Sequence, residues 1–235
     1  GEEPDDAVVE FGVQALSEAL QNGEIVAWFQ PQVEFANGKV IGVEALARWE
    51  RRDGGLVHPQ AFVPLLEQGG LANALTDRML DEACRWKQRW DGGGTRLKIS
   101  VNVSPMALAD PSAADRYQSI VEAYGIAPDE VVLEITESSV MSDAARGLGL
   151  LARLRLKGFG LSIDDFGTGY SSLAQLSQIP FTELKIDRGF VSGAHAQPRQ
   201  RAVVEASLDL ARKLGLTTVA EGVEAVEDWQ MLAEL

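Results

Sequence analysis

Polar and charged residues recur in this sequence at one kind of place, the end of a short apolar run. Each of six successive runs carries an acid, an amide or a lysine at or near its carboxyl end. These residues are Glu44, Asn102, Glu134, the pair Asp164 and Asp165, Lys185, and Glu221. A single acid in such a position is usually a helix cap or a surface charge. Six in succession indicate a site where the side chains meet.

The donor atoms in this set favour a hard divalent cation. Carboxylate and amide oxygens suit Mg²⁺ or Mn²⁺, whereas zinc prefers cysteine and histidine ligands. Without cations, carboxylates gathered in a low-dielectric pocket would repel one another strongly. The residue types therefore predict a site for Mg²⁺ or Mn²⁺.

The adjacent acids Asp164 and Asp165 need an unusual backbone if both are to serve one site. Neighbouring residues of a strand normally point to opposite faces of the sheet. Gly167 and Gly169 follow directly, and their freedom in φ would let the chain turn so that both acids reach the pocket. In the alternative interpretation, Asp165 merely caps the loop or the helix predicted from Ser171.

The elements that must position these residues alternate along the chain. Strands are predicted over residues 24–35, 39–46, 97–103, 131–136, 160–163, 183–186 and 217–220. Helices are predicted over residues 7–22, 59–68, 71–90, 113–124, 144–157, 171–178, 199–214 and 225–235. The Asn37-Gly38 turn makes the first two strands antiparallel, and the later alternation is typical of βαβ units. In an α/β barrel the carboxyl ends of the strands converge on one face, where active sites lie.

Composition limits the possible partners. The chain has 235 residues, of which 46% are hydrophobic and 24% charged, as expected for one globular domain. Its net charge of −14 disfavours nucleic-acid polymers and direct contact with anionic membranes. A small anionic substrate is compatible with that charge if metal ions supply positive charge locally. The single cysteine, Cys84, precludes an intrachain disulfide and fits a reducing, cytoplasmic location.

Six segments of the chain resemble the EAL-domain family, in its order and at its spacing. They read EALAR from Glu44, SVNVS from Ser100, EITES from Glu134, DDFGTGYSS from Asp164, KIDR from Lys185 and AEGVE from Ala220. The resemblance covers about residues 24–235, with residues 1–23 as an N-terminal linker and helix. It implies a TIM-like (β/α)8 barrel with an antiparallel first strand. Because the family continues with a further strand and helix, we expect those two elements to be missing from this chain.

The resemblance implies hydrolysis of cyclic di-GMP to linear 5′-pGpG by a two-metal mechanism using Mg²⁺ or Mn²⁺. One metal would be held by Glu44, Asn102, Glu134 and Asp164. Asp164 would bridge to a second metal, held also by Asp165, with Glu221 as a further candidate ligand. We expect Ca²⁺ to occupy the site and inhibit, because its larger radius and looser geometry suit in-line attack poorly.

The resemblance also implies roles in catalysis and substrate binding. Lys185 would contact the attacking water, and Glu221 would be the general base or a ligand of that water's metal, which the family leaves open. Arg48 would pair with a substrate phosphate. Gln30 would lie along the guanine side of the groove, with Leu46 also in the substrate site. Glu137 would anchor the glycine loop 166–170, so that Asp165 points correctly.

Two other functions fit the same resemblance. A non-hydrolytic cyclic di-GMP receptor would usually have lost acids or altered the glycine loop, and this sequence shows neither change. A pure interaction module would leave the acidic pocket unexplained. Since EAL domains often pair, we expect a homodimer. The chain begins at Gly1 rather than Met, so we expect it to be a segment of a longer protein with an upstream sensory or receiver domain.

Overall fold

A computed structural model describes residues 11–142, 144–168, 176 and 178–235. Within these ranges eight strands form one curled sheet with helices packed around it, which confirms the predicted TIM-like α/β fold. The strands are β1 (Ile25–Val33), β2 (Val40–Glu50), β3 (Leu56–Val57), β4 (Lys98–Asn102), β5 (Val131–Thr136), β6 (Gly160–Phe166), β7 (Glu183–Ile186) and β8 (Thr217–Ala220).

Nine helices are found in the same part of the chain. They are α1 (Val13–Gln21), α2 (Pro59–Gln68), α3 (Ala72–Gly92), α4 (Ala113–Ala123), α5 (Glu137–Ser142), α6 (Ala144–Leu156), α7 (Arg188–Val191), α8 (Pro198–Leu214) and α9 (Val226–Glu234). Short 3₁₀ turns occur at Pro105–Ala109, Pro128–Glu130 and Ala194–Ala196. None of the described helices is long and apolar enough to cross a membrane.

The sheet is parallel except at its beginning. Along the order β1-β2-β4-β5-β6-β7-β8, only β1 and β2 run antiparallel, and the short β3 pairs antiparallel with the outer end of β2. The predicted Asn37-Gly38 turn joins β1 to β2. Gly38 has a φ of +69°, and the Asn37 side chain accepts a hydrogen bond of 2.8 Å from the Lys39 amide. Among the described residues β1 and β8 remain the two edges of the sheet.

One core lies between the outward face of the sheet and the helices. Continuous apolar strands such as β5 are buried on both faces, as expected in a parallel sheet. The α1 helix belongs to the same core, because Leu16 and Ala19 are buried in it. Phe29 of β1 packs edge-on against Trp90 of α3, with ring centroids 4.9 Å apart.

Several predicted boundaries were wrong. The first helix begins at Val13 rather than residue 7, because Gly12 is extended, and residues 1–10 lie outside the described part. The second strand continues past Leu46 to Glu50, because Trp49 is buried against Phe62 and keeps this end of the strand in the core. The sequence reading also missed β3, α5 and α7, which are too short to show periodicity. The helix predicted over residues 171–178 lies almost entirely outside the described residues.

Candidate active site

The polar residues at the strand ends lie in one layer on the rim of the sheet. The parallel register places Asn102 of β4 beside Glu134 of β5. The Asn102 side-chain amide donates a hydrogen bond of 3.0 Å to Glu44 of β2. Glu221 follows β8 directly, and its backbone amide bonds to the carbonyl of Ile186 at 3.1 Å. The alternation of side chains along each strand therefore brings residues distant in sequence to one place.

Lys185 lies at the centre of this layer. Its Nζ is 3.1 Å from Glu44, 2.8 Å from Glu134, 3.1 Å from Asp164 and 2.7 Å from Glu221. The lysine is only 1% exposed. Burial alone would lower the pKa of Lys185, but the surrounding carboxylates outweigh that effect and raise it. The ammonium therefore stays charged in the ordinary pH range.

The carboxylates outnumber this one ammonium, and their pKa values reflect the excess. Burial raises the pKa of Glu134 well above its usual range, and Glu44 and Asp164 raise it further against the opposing effect of Lys185. Burial also raises the pKa of Asp165 and, despite Lys185, that of Glu221. These groups are consequently held together at an electrostatic cost that divalent cations would relieve.

A β-bulge explains how Asp164 and Asp165 serve the same site. Ile163 pairs with Leu184 but Phe166 pairs with Ile186, so β6 carries one extra residue there. Asp165 itself has a φ of +55°, the left-handed region that side chains rarely adopt. The turn was predicted to come from the following glycines. Gly167 does have a positive φ, but Gly169 lies outside the described residues, and the first turn falls on the acid itself.

Two backbone contacts stabilise the chain segments next to the acidic residues of the rim. Glu137, buried at the start of α5, accepts a hydrogen bond of 2.8 Å from the Gly167 amide. Gly222, next to Glu221, has a φ of +66°, and an added Cβ would lie 2.6 Å from the Cβ of Arg188. The backbone beside Glu221 therefore packs directly against the start of α7, and only glycine fits at position 222.

The residues present fit divalent metal ions. Oxygen atoms of Asp164, Asp165 and Glu221 lie within 4.8 Å of one another. Oε2 of Glu134 accepts from Lys185. In the described part of the protein, its other oxygen, Oε1, is buried without a hydrogen-bond partner. A buried carboxylate oxygen that has no partner and lies beside further carboxylates is available to bind a divalent cation.

A groove of about 1420 Å³ opens over the rim and continues between β1 and β8. Gln30 lies opposite Glu44 in the β1–β2 register, and Leu46 and Arg48 follow on the same face of β2. All three line the groove together with Glu44, Asp164 and Lys185. The predicted substrate-binding residues are thus beside the predicted metal ligands, and their roles remain predictions.

Of two further residues near this site, Trp28 was not predicted from the sequence, and Asp187 lies in the KIDR segment that resembles the family. Trp28 lies on β1 beside Arg48, with its ring 5.5 Å from the guanidinium carbon. Asp187 caps α7 by accepting a hydrogen bond of 2.9 Å from the Gly189 amide, and its charge contributes to the raised pKa of Asp165. Strand alternation from Gln30 could have placed Trp28 on the groove side.

Comparison with known proteins gives a consistent result. The family model described as EAL domain matches residues 13–235. The bifunctional diguanylate cyclase/cyclic di-GMP phosphodiesterase MucR of Pseudomonas aeruginosa is 42% identical over 221 residues, which cover 94% of this chain and 32% of MucR. The cyclic di-GMP phosphodiesterase RocR of the same organism is 37% identical over 216 residues, covering 92% of this chain and 55% of RocR. The chain therefore spans only part of the length of these curated relatives.

Solved structures agree with the sequence relatives. The PaMucR phosphodiesterase in complex with c-di-GMP superposes with a TM-score of 0.88 at 42% identity, covering 94% of this chain and 90% of that one. The manganese/cy-diGMP complex of Klebsiella pneumoniae BlrP1 has a TM-score of 0.77 at 29% identity, covering 89% of this chain and 52% of that one. Both similarities extend over nearly the whole chain.

Proposed function

The chain belongs to the EAL-domain family, and from this premise we propose that it hydrolyses cyclic di-GMP to linear 5′-pGpG using Mg²⁺ or Mn²⁺. The observation that carries the proposal is the rim itself. Lys185 lies within 3.1 Å of four carboxylates, and a buried oxygen of Glu134 has no partner among the described residues. The choice of cyclic di-GMP as the substrate rests on the relatives that are named as cyclic di-GMP phosphodiesterases.

The metal ligands we propose are oxygen donors from five strands. Glu44, Asn102, Glu134 and Asp164 would hold one ion, and Asp164, Asp165 and Glu221 the other. When bound, such ions lower the pKa of water and neutralise charge on a phosphate. Since the Asn102 amide nitrogen faces Glu44, the amide oxygen is the atom left to act as a ligand.

The residues of the chain itself would bind the substrate and move the proton. Lys185 places a permanent positive charge beside the reacting phosphate and holds a water in line. Glu221 would be the general base or a ligand of the metal that holds the water, because its carboxylate lies 2.7 Å from Lys185 and has an oxygen within 4.8 Å of oxygens of Asp164 and Asp165. Arg48 would bind a phosphate oxygen, Gln30 would lie along the guanine side of the groove, and Leu46 would also contact the substrate. Glu137 would hold the Gly167 amide and so fix Asp165.

The test is to incubate the purified domain with cyclic di-GMP and Mg²⁺ and identify the products by chromatography and mass spectrometry. We expect pGpG, and no pGpG when the metal is chelated. Tight binding without cleavage, in either Mg²⁺ or Mn²⁺, would instead support a receptor. No binding at all would support an interaction module.

The setting of the domain is a further part of the proposal. Because the chain spans 32% of MucR and 55% of RocR, we propose that it acts beside an upstream sensory or receiver domain in the cytoplasm. The buried free thiol of Cys84 fits a reducing compartment. We also propose a homodimer, which light scattering after size exclusion would detect as twice the monomer mass.

A further inference from the structure

Trp28 is a large aromatic residue that the proposed chemistry does not use. It lies on the inward face of β1 and is 46% exposed. In the β1–β2 register it pairs with Leu46, so Arg48 is its diagonal neighbour on the same face. Diagonal neighbours are within reach of each other when one is aromatic and the other is long.

The indole is fixed to β2 at two points. The Arg48 guanidinium carbon lies 5.5 Å from the ring centroid, a cation–π distance. The indole Nε1 donates a hydrogen bond of 3.0 Å to Glu50, two residues beyond Arg48 on β2. The ring therefore has a defined orientation despite its exposure.

Arg48 is held, but its donors are not all used. Its Nη1 donates a hydrogen bond of 2.8 Å to the carbonyl of Ala47. Its Nε is buried and, within the described ranges, has no hydrogen-bond partner. Because Arg48 lines the groove and a guanidinium has five N–H donors, the donors other than Nε can meet an acceptor that comes from outside.

From this geometry we propose that Trp28 is a positioning residue, which acts by holding the Arg48 guanidinium so that its free donors meet a phosphate oxygen of the substrate. A guanidinium that is already oriented loses less freedom on binding. The identity of the substrate, a cyclic dinucleotide, rests on the proposed function. The contact between Trp28 and Arg48 does not.

Steady-state kinetics test this inference with Trp28→Ala, Trp28→Phe and Arg48→Ala. Trp28→Ala should raise KM roughly two- to fivefold with kcat unchanged, as expected from loss of one cation–π contact. Trp28→Phe should have a KM close to that of the parent protein. The effect should disappear when Trp28→Ala is made in the Arg48→Ala background. Equal effects in both backgrounds would mean that Trp28 contacts the nucleotide directly, and would overturn the inference.

Arg89→Ala is the matched control, because Arg89 lies over Trp86, 5.0 Å from its ring centroid, away from the groove. It removes a comparable cation–π contact and should leave KM unchanged. An equal rise in KM would mean that losing any such contact is enough, and would overturn the inference.

A second measurement needs no substrate. The Arg48 Nε–H resonance, assigned by its absence in Arg48→Ala, should exchange slowly with solvent in the parent protein and in Trp28→Phe, and fast in Trp28→Ala. Unchanged exchange in Trp28→Ala would overturn the inference whatever the substrate. If exchange behaves as expected but cyclic di-GMP neither binds nor reacts, the proposed function fails while the role of Trp28 in holding Arg48 stands.

Discussion

At the level of single residues, the site is defined by an imbalance between five buried or half-buried acids and one buried base. Five acids, Glu44, Glu134, Asp164, Asp165 and Glu221, surround Lys185 on the rim, and the pKa of Glu134 is raised because burial disfavours its charged form. Without bound metal, these acids therefore lower the stability of the folded chain. That cost is expected of a site whose ligands are organised before the metal arrives.

Replacing Glu134 by a neutral residue should lower activity without lowering stability. In Glu134→Gln we expect turnover to fall at least about 100-fold, because a buried metal ligand is lost. In chelator the variant should unfold at the same or a higher temperature than the parent, because repulsion with Glu44 and Asp164 is relieved. Turnover and thermal unfolding of the two proteins measure both effects.

Glu82→Gln is the matched control for that variant. Glu82 is also buried, but it lies in α3 and pairs with Arg78 and Arg85, each at 2.7 Å. This variant should lose stability and keep its turnover per folded molecule. The opposite pattern in the two variants would contradict the assignment of Glu134 to a metal.

The residue types at the site could be predicted from the sequence, but the local geometry could not. Strand periodicity places Glu44, Asn102 and Glu134 on the inward face without further information. The bulge at Asp165 could not be predicted, because φ > 0 at an aspartate depends on the β6–β7 register and on the distant hydrogen bond from Gly167 to Glu137. Trp28 was missed because its role depends on a diagonal contact across a hairpin.

At the level of elements, α5 carries the residue that supports the loop after β6. Glu137 opens α5, and its carboxylate accepts from the Gly167 amide. In Glu137→Ala we expect the Mg²⁺ concentration for half-maximal activity to rise about 10- to 100-fold, as for other groups that orient metal ligands. Glu137→Gln, which keeps an acceptor oxygen, should be milder. Metal titrations of activity measure the change.

Ser138→Ala is the control for that experiment, since Ser138 is the exposed neighbour of Glu137. Its metal dependence should match that of the parent. If Glu137→Ala keeps the metal dependence of the parent, the loop does not depend on this hydrogen bond.

The α9 helix is attached to the segment before α8 by one buried acid. Asp228 accepts hydrogen bonds from the amides of Gly193 and His195 and lies 2.8 Å from the His195 ring nitrogen. Burial opposes ionisation of Asp228, but these hydrogen bonds outweigh it and lower its pKa below the ordinary 3.8. Because the pKa is lower in the folded state, this stabilisation is present above about pH 4 and lost as the pH falls through the folded-state pKa.

Asp228→Asn should therefore lower the free energy of unfolding by roughly 2 kcal/mol at neutral pH. The difference from the parent should narrow as the pH is lowered below 3.8. Denaturant titrations of both proteins across that range measure it. Asp209→Asn, at an exposed position in α8, is the control and should change little. A difference independent of pH would rule out the charge of Asp228 as its cause.

Elements with clear flanking signals were predicted with their observed bounds, and elements without such signals were not. The bounds of β5, β7, β8 and α2 agree with the sequence prediction because turn residues or Pro flank clear apolar runs. The short α5 and α7 helices have too few residues for a periodic pattern, and each begins at the carboxyl end of a strand, where tertiary contacts decide the backbone.

At the level of the whole molecule, metal binding should stabilise the fold, because the ligands come from strands far apart in sequence. In excess Mn²⁺, at about 100 times its Kd, we expect the unfolding midpoint to rise by roughly 5–10 °C for a chain of this size. Glu134→Gln should show little of this shift. Thermal unfolding with Mn²⁺ and with chelator is the measurement, and an equal shift in both proteins would place the metal elsewhere.

Calcium should bind at the rim without supporting catalysis. Ca²⁺ also binds carboxylate oxygens but prefers a larger and looser coordination shell than Mg²⁺. We expect it to raise the unfolding midpoint and to inhibit hydrolysis in competition with Mg²⁺. Normal turnover in Ca²⁺ alone would show that the rim does not select by geometry.

The most direct test is a crystal of the domain grown with Mn²⁺ and cyclic di-GMP, with anomalous scattering recorded at the manganese edge. Two peaks are predicted, one among Glu44, Asn102, Glu134 and Asp164, and the other among Asp164, Asp165 and Glu221, with a phosphate of the nucleotide beside them. No manganese at the rim, or a nucleotide bound away from it, would contradict the account.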